Sequence, residues 1–180
     1  MCMRPVPGEV VHFSEDPTIT RFEPHVAATA RRPEAYVWAV DAARAPDYWF
    51  PRQCPRALAW VTPETSEADR AFLGTPRVHA IEYGWLAAMR TVQLFAYRFS
   101  SAAFRPFGEH AHAVVTTVPV EPLGPPERVG DLLALHEEAA IELRVMRNLW
   151  AFVDTAAASS LGFSGIRLGN ATPRPSELHA

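Results

Sequence analysis

The order of hydrophobic and polar positions divides the chain into short elements of two kinds. Alternation of apolar and polar residues, or clustering of β-branched ones, predicts strands at residues 10–13, 36–40, 57–61, 78–82, 92–99, 113–120 and 141–146. Apolar residues at helical spacing predict short helices at residues 47–50, 65–73, 85–90, 131–140 and 149–158. Because these elements follow no regular β-α-β order, the sequence predicts an α+β fold with mixed, mainly antiparallel strands.

Capping residues mark the beginning of several of these helices. Thr65 or Ser66 can begin the second helix, since either hydroxyl can accept a hydrogen bond from the first turn and an acid follows each within three residues. Asp131 stands in the same place before the fourth. With 180 residues, the chain is expected to form a single domain over 1–180, with irregular tails at 1–8 and 170–180.

The composition narrows the chemistry that the chain can perform. All 17 basic residues are arginine, so no lysine amine is present for a Schiff base or a phosphate loop. The net charge of −3 makes nucleic acid an unlikely main partner. No apolar run reaches the roughly 18 residues of a membrane span. With no apolar signal segment near the N-terminus, the expected location is cytoplasmic.

The two cysteines, Cys2 and Cys54, form no disulfide framework and are expected to be reduced. Cys54 lies in the string PRQCPR, where Arg52 and Arg56 could lower its pKa and make the thiol reactive. The alternative is an ordinary, partly buried cysteine. The sequence leaves both interpretations open.

The string Glu109-His110-Ala111-His112 is the best metal-like motif. Two histidines separated by one residue point to one face of a strand, and His110 and His112 are therefore weak candidates for a metal site. The alternative is a polar loop that leads into a strand, since no third ligand stands nearby in the sequence.

Polar side chains also cluster at the end of the first predicted strand. His12 and Ser14 share one face of that strand, where together they can accept and donate hydrogen bonds to a sugar or an amide. A strand end with a capping serine explains them equally well. Guanidinium groups suit phosphate or carboxylate, so Arg21, Arg52 and Arg56 would form an anion site if the fold brings them together. If it does not, they are surface side chains of little energetic weight.

Three unusual strings occur in order along nearly the whole chain: HFSEDPTITRFEPH, VWAVDAARAPDYWFPRQCPR and FSGIRLGNA. In these strings the chain resembles a family of uncharacterised bacterial proteins, a domain of unknown function with HFSE-x-P and FSGIR-type motifs. The resemblance implies no established activity.

The strand that ends in His-x-Ser, followed by VWAVD and an aromatic short helix, is also similar to ADP-ribosyltransferase-like domains. That resemblance implies a cleft for NAD or an ADP-ribose-like nucleotide. In it, His12 and Ser14 would hold the nicotinamide ribose and amide, and Tyr48, with Trp49 less surely, would stack on nicotinamide. His12 is then the candidate catalytic residue. The chain departs from the pattern because no acid stands at the expected place of the catalytic glutamate, where it reads His110-Ala111-His112.

Three functions follow as hypotheses. The first is binding of NAD, a related nucleotide or another small anionic ligand through His12, Ser14, Arg21, Tyr48, Arg52 and Arg56. The second is a non-catalytic interaction module, for which six aromatic residues are expected to be exposed unless they belong to the core: Trp38, Tyr48, Trp49, Trp60, Trp85 and Trp150. The third is a metal-dependent hydrolase built on His110 and His112.

Overall fold

A computed structural model describes residues 3–26, 34–108 and 113–175. The strands in these residues are β1 Glu9–Ser14, β2 Val37–Ala39, β3 Arg56–Trp60, β4 Arg77–Glu82, β5 Phe95–Ser100, β6 Arg105–Phe107, β7 Ala113–Thr116, β8 Glu127–Arg128, β9 Glu142–Met146 and β10 Gly162–Ile166. The α-helices are α1 Glu67–Leu73, α2 Leu86–Thr91, α3 Leu132–Glu138 and α4 Trp150–Ala157. Among the strands described, only β4 and β9 pair in parallel, which confirms the predicted α+β fold with mainly antiparallel strands.

The chain forms two compact units, each made of two segments. The first unit comprises Met1–Trp49 and Gln93–Gly130, and the second comprises Phe50–Val92 and Asp131–Ala180. The single domain over 1–180 stays a prediction. No helix in the described parts of the chain is long and apolar enough to cross a membrane.

Two three-stranded sheets form the first unit, in the orders β1-β5-β8 and β2-β7-β6. A bridge between Val11 and Val40 joins β1 to the end of β2. Aromatic rings fill the space beside β5, where Phe22 meets Tyr97 and Phe99 edge to face at centroid distances of 5.0 and 5.1 Å. These edge-to-face contacts between rings hold the segment after β1 against the sheet.

A four-stranded sheet in the order β10-β3-β4-β9 forms the middle of the second unit. One face of β3 and β4 presents small residues, Ala57, Ala59 and Ala80, which let α4 pack closely through Phe152 and Val153. The opposite face carries Leu58 and His79, and α3 contributes His136 on that side. Strands β3 and β4 are therefore buried on both faces, as the near-continuous apolar sequence of β3 indicates.

The structure decides how the second predicted helix begins. Ser66 is the N-cap of α1, and its Oγ accepts from the backbone N–H of Asp69. Thr65 instead accepts from the N–H of Thr62 at 2.8 Å. Gly74 ends the helix at a φ of 73°, a left-handed conformation that glycine adopts without steric cost.

Several predicted boundaries were wrong by a few residues. The strand predicted at 92–99 begins only at Phe95, and the one predicted at 113–120 ends at Thr116. After Thr116 the chain bends, because the Thr116 hydroxyl accepts the N–H of Val118 and Pro119 has no N–H to donate. The helix predicted at 47–50 is a 3-10 turn at Ala45–Tyr48, with Pro46 in its first turn.

Strands β6 and β10 were missed from sequence, as was the two-residue strand β8. The first contains Pro106 and lies at the edge of its sheet, where a missing donor costs least. The second contains two glycines and a serine, which are poor strand formers. Gly162 is nevertheless required, because a Cβ there would lie 2.1 Å from Nε1 of Trp60 in the paired strand.

The expectation that six aromatic residues are exposed was wrong. Trp49 is 3% exposed, and the other five are half-buried: Trp38, Tyr48, Trp60, Trp85 and Trp150. Large aromatic rings stabilise the folded state when they pack against other side chains instead of facing water. Trp38, for example, makes edge-to-face contacts with Tyr36 and Phe107.

Candidate functional site

His12, the predicted catalytic residue, lies in the middle of β1 and is half-buried. Its Nδ1 lies 2.8 Å from the carbonyl oxygen of Trp38 in β2. Because a carbonyl only accepts, Nδ1 carries the proton and the imidazole ties the two strands together. Phe22 packs against the ring at a centroid distance of 5.1 Å. The His12 side chain therefore has a defined tautomer and a structural role.

The other predicted residues of the first unit are also engaged by their neighbours. Ser14 is 3% exposed, and its Oγ accepts the N–H of Asp16 in the turn that follows β1. Arg21 is exposed and forms ion pairs with Glu23 at 2.6 Å and with Glu121 at 3.5 Å. Tyr48 ends the 3-10 turn and is half-buried.

Arg52 and Arg56 belong to the second unit. Arg52 is exposed, whereas Arg56 is 3% exposed and donates from Nη1 to the carbonyl oxygen of Cys54 at 3.0 Å. The Arg56 guanidinium also stacks over the Phe50 ring, 5.0 Å from its centroid. Of the six predicted ligand residues, four thus lie in one unit and two in the other.

Cys54 is a buried thiol and not an activated one. It is completely shielded from solvent, and this burial raises its pKa to about 12 in spite of the nearby Arg56 charge, which acts in the opposite direction. The structure therefore favours the ordinary buried cysteine over the reactive one.

The predicted metal ligands His110 and His112 lie outside the described residues, as does Glu109. Within residues 3–26, 34–108 and 113–175, no group of three or more histidine, cysteine or acidic side chains could hold a metal ion. The metal site stays a prediction.

A chain of buried hydrogen bonds, which the sequence did not predict, crosses the second unit. Nε of Arg77 donates to Nε2 of His79 at 3.2 Å, so the proton of His79 is on Nδ1. Nδ1 of His79 lies 3.0 Å from Nε2 of His136, whose Nδ1 donates to the Leu132 carbonyl at 2.7 Å. Both imidazoles are therefore neutral. Each one accepts a hydrogen bond from the residue before it in this series and donates one to the residue after it, from Arg77 through His79 and His136 to Leu132.

The second unit also contains a cavity of about 730 Å³, within the size range of small-molecule sites. It is lined by Glu82, Tyr83, Gly84, Trp85, Arg147, Asn170, Ala171 and Thr172. Glu82 ends β4 and is opposite Met146, the last residue of β9, in the parallel register. The carboxyl ends of the two strands therefore open into the same space, where ligands of α/β proteins commonly bind.

Glu82 is 5% exposed and its carboxylate is held on both oxygens. Oε1 accepts the backbone N–H of Leu149, at the beginning of α4, at 3.2 Å. Oε2 accepts from both the backbone N–H and the hydroxyl of Thr172, each at 2.9 Å. None of these donors carries a positive charge.

Arg147 follows β9 directly and is exposed on the wall of the cavity. Within the described parts of the chain, its guanidinium forms no hydrogen bond or ion pair, with Glu82 or any other residue. Tyr83 and Trp85 add a phenol and an indole ring to the same wall, and Tyr83 is 61% exposed. Among the described residues, the cavity thus presents an exposed guanidinium with no partner, a buried carboxylate and two aromatic rings.

Residues 170–172 line one side of the cavity and are followed by Pro173 and Arg174. They form no strand or α-helix from Ala171 on, yet they are fixed by hydrogen bonds. Nε1 of Trp150 donates to the Thr172 carbonyl at 2.8 Å. Arg174 makes a bidentate ion pair with Asp154, at 2.7 and 3.0 Å, which lowers the pKa of that carboxyl.

A family model matches residues 11–171, which is most of the chain. The matched family is described as a family of unknown function, DUF6886. The chain belongs to the DUF6886 family. The prediction of a family without an assigned activity is thereby confirmed, and the match includes the cavity residues up to Ala171. No curated protein and no solved structure matches the chain.

The cavity residues of this DUF6886 chain were missed because their sequence surroundings are ordinary. Glu82 and Arg147 are 65 positions apart, and only the parallel pairing of β4 with β9 brings them together. One signal was available: both are charged residues directly at the end of apolar strands, a position at which ligand-binding side chains are frequent.

Proposed function

We propose that the protein binds a small anionic ligand in the cavity of the second unit. Arg147 carries this proposal, because an exposed guanidinium that has no partner among the described residues is available to a carboxylate or a phosphate. The ligand classes considered from sequence, a nucleotide or another small anion, both satisfy this requirement. The aromatic rings of Tyr83 and Trp85 favour a ligand that also has a flat or apolar part.

The concave site supports small-molecule binding over attachment to a macromolecular surface. A volume of about 730 Å³ exceeds what a single phosphate needs and suits a molecule with a ring and a charged group. The cavity wall contains polar groups in fixed positions, since Glu82 and Thr172 are hydrogen-bonded to each other. Ligand binding to a wall that is already ordered costs little conformational entropy.

The test is a set of four ligands: inorganic phosphate, AMP, 3-phenylpropionate and L-phenylalanine. In two-dimensional NMR spectra at millimolar ligand, at least one of them is expected to shift the amide signals of Tyr83 and Trp85. Arg147→Gln should abolish that shift, whereas Arg90→Gln should preserve it, because Arg90 is an exposed arginine of the same unit outside the cavity. If none of the four ligands moves these signals, the proposal is wrong.

A second binding function is proposed for the first unit, on the basis of the hydrogen bond between His12 and Trp38. This bond joins β1 to β2 and fixes the His12 tautomer, which is an arrangement that a first-strand histidine would need in order to hold NAD or an ADP-ribose-like nucleotide. The buried indole N–H of Trp38 finds no acceptor among the described residues, so a polar partner is still needed there.

Thermal unfolding with millimolar NAD and ADP-ribose tests this second function, since a ligand that binds the native state raises its apparent stability. His12→Ala should lose the stabilisation, and His25→Ala, at an exposed histidine of the same unit, should keep it. NMR signals of residues 12–14 in the unaltered protein give an independent readout if His12→Ala does not fold. No response to either nucleotide would exclude this site.

A further inference from the structure

Two opposite charges in the cavity of the second unit, those of Glu82 and Arg147, have no counter-charge among the residues that the structure describes. Glu82 is almost completely buried, yet all three groups that donate to it are neutral. Arg147 has no partner in the described parts of the chain. Buried carboxylates are usually paired with a cation, because neutral donors offset only part of the cost of removing the charge from water.

The carboxylate of Glu82 can accept one more hydrogen bond. An ionised carboxylate offers about four lone-pair positions, and three of them are used here. The remaining position is on Oε1, which accepts only from Leu149 in the described structure. A donor that bonds to Oε1 would therefore bind Glu82 without displacing Thr172, whose two bonds are to Oε2.

Strand pairing brings the backbone of Glu82 and that of Arg147 to the same end of the sheet, because Glu82 is opposite Met146 and Arg147 is the next residue. Both side chains line the same cavity, so a head group that carries an ammonium and a carboxylate on one carbon offers each of them a group of opposite charge. In the described structure the two charged groups form no ion pair with each other, and the bonds from Leu149 and Thr172 hold the Glu82 carboxylate in place.

From this arrangement we infer that the ligand is a zwitterion of the α-amino-acid class, whose ammonium binds Glu82 and whose carboxylate binds Arg147. The rings of Tyr83 and Trp85 favour an aromatic or large apolar side chain on that ligand. The inference rests on the proposed function of the cavity and narrows it, because the carboxylate of Glu82 repels ligands that carry only negative charge.

Titration calorimetry with three ligands of similar shape tests the inference: L-phenylalanine, 3-phenylpropionate, which lacks the ammonium, and phenethylamine, which lacks the carboxylate. L-Phenylalanine is expected to bind about tenfold more tightly than either analogue, since each analogue leaves one charged group of the cavity unpaired. If 3-phenylpropionate binds as tightly as L-phenylalanine, the zwitterion is excluded while anion binding by Arg147 stands. If none of the three ligands and neither phosphate nor AMP binds, the proposed function itself fails.

Glu82→Gln distinguishes recognition of the ammonium from a purely structural role of Glu82. The amide keeps an oxygen that can accept from Thr172 or Leu149 but has no charge. The variant should lose the preference for L-phenylalanine over 3-phenylpropionate, and Arg90→Gln should keep it. An unchanged preference in folded Glu82→Gln would overturn the inference, and the comparison of ligands on the unaltered protein decides the question if the variant does not fold.

Discussion

The two units of the chain use their polar side chains in opposite ways. In the first unit, the polar residues at the end of β1 are engaged by the fold: His12 binds a carbonyl, Ser14 closes a turn, and Arg21 pairs with acids. In the second unit, Glu82 and Arg147 line a cavity, and neither has a partner of opposite charge among the described residues. Polarity at a strand end is therefore a weak sign of function, and charge without an internal counterpart is a stronger one.

The units also differ in how they bury polar groups within the fold. In the first unit, the partly exposed side chain of Arg98 forms ion pairs with Glu127 at 2.9 Å and with Glu9 at 3.3 Å. In the second unit, the buried pair of His79 and His136 is neutral and hydrogen-bonded throughout. Burial without charge avoids most of the desolvation cost, which explains why the imidazoles can be almost completely buried.

The largest expected effect concerns this pair of imidazoles. His136→Ala should destabilise the second unit by about 2–4 kcal/mol, because it leaves a cavity and removes the acceptor of the His79 N–H. His136→Phe keeps most of the volume and should cost about 1–3 kcal/mol for the unsatisfied group alone. Urea unfolding measures both values.

The exposed His25 of the first unit provides the control. His25→Ala should change the unfolding midpoint much less than either substitution of His136. A His136→Ala variant as stable as His25→Ala would show that the hydrogen-bonded pair contributes little to the second unit, and that the contrast between the units lies in the cavity alone.

A smaller effect is expected in the first unit when Arg98 is replaced. The side chain is 17% exposed, and its hydrogen bonds to Glu127 and to the Arg4 carbonyl join β5 to β8 and to the N-terminal segment. Arg98→Met keeps much of the aliphatic stem and should cost about 1–2 kcal/mol, with less loss at high salt. Arg21→Met, whose side chain is 53% exposed, is the control and should leave the urea midpoint unchanged.

Measuring the stability of Arg98→Met at low and at high salt separates the contribution of the ion pairs from that of packing. If Arg98→Met is equally destabilising in low and high salt, packing of the stem and not the charge network is responsible. Packing of the aliphatic stem would then be what holds β5 to its neighbours in the first unit.

Most of the fold could be predicted from the sequence because alternation and capping are local signals. The seven predicted strands and the helices that begin at Ser66 and Asp131 all occur, and only their ends differ. β10 escaped prediction in part because one of its glycines serves a distant partner: Gly162 leaves room for Trp60, a residue about 100 positions earlier. Local propensity cannot reveal a requirement set by another strand.

The candidate site could be predicted much less well, for the same reason. Glu82 and Arg147 come together through strand pairing, which the periodicity of either strand does not reveal. Sequence reasoning chose residues by chemistry within single strings, and this favours side chains such as Ser14 that close a local turn. The assignment of His12, Ser14, Tyr48 and the arginines to a ligand remains a prediction.

The smallest effect concerns Asp69 in α1, which joins the helix to Ser160 before β10. Its Oδ2 accepts from the hydroxyl and the N–H of Ser160 and from the Ser66 hydroxyl, and these bonds, that from the Ser160 hydroxyl foremost, lower the pKa of Asp69 below 3.8. Since the folded state prefers the ionised carboxyl, this stabilisation is complete above pH 3.8 and is lost as the pH falls through the lowered value. Asp69→Asn should therefore be less stable than the unaltered protein at pH 7.

Urea unfolding across the acid range checks the sign of this dependence. The difference between Asp69→Asn and the unaltered protein should shrink as the pH falls from 3.8 through the lowered pKa of Asp69, below which both proteins carry an uncharged group at this position. Glu67→Gln, at an exposed acid in the same first turn without a side-chain hydrogen bond among the described residues, should differ less at pH 7. A difference for Asp69→Asn that stays constant down to pH 2 would mean that the contribution of the hydrogen bonds to Ser160 does not depend on the charge of Asp69.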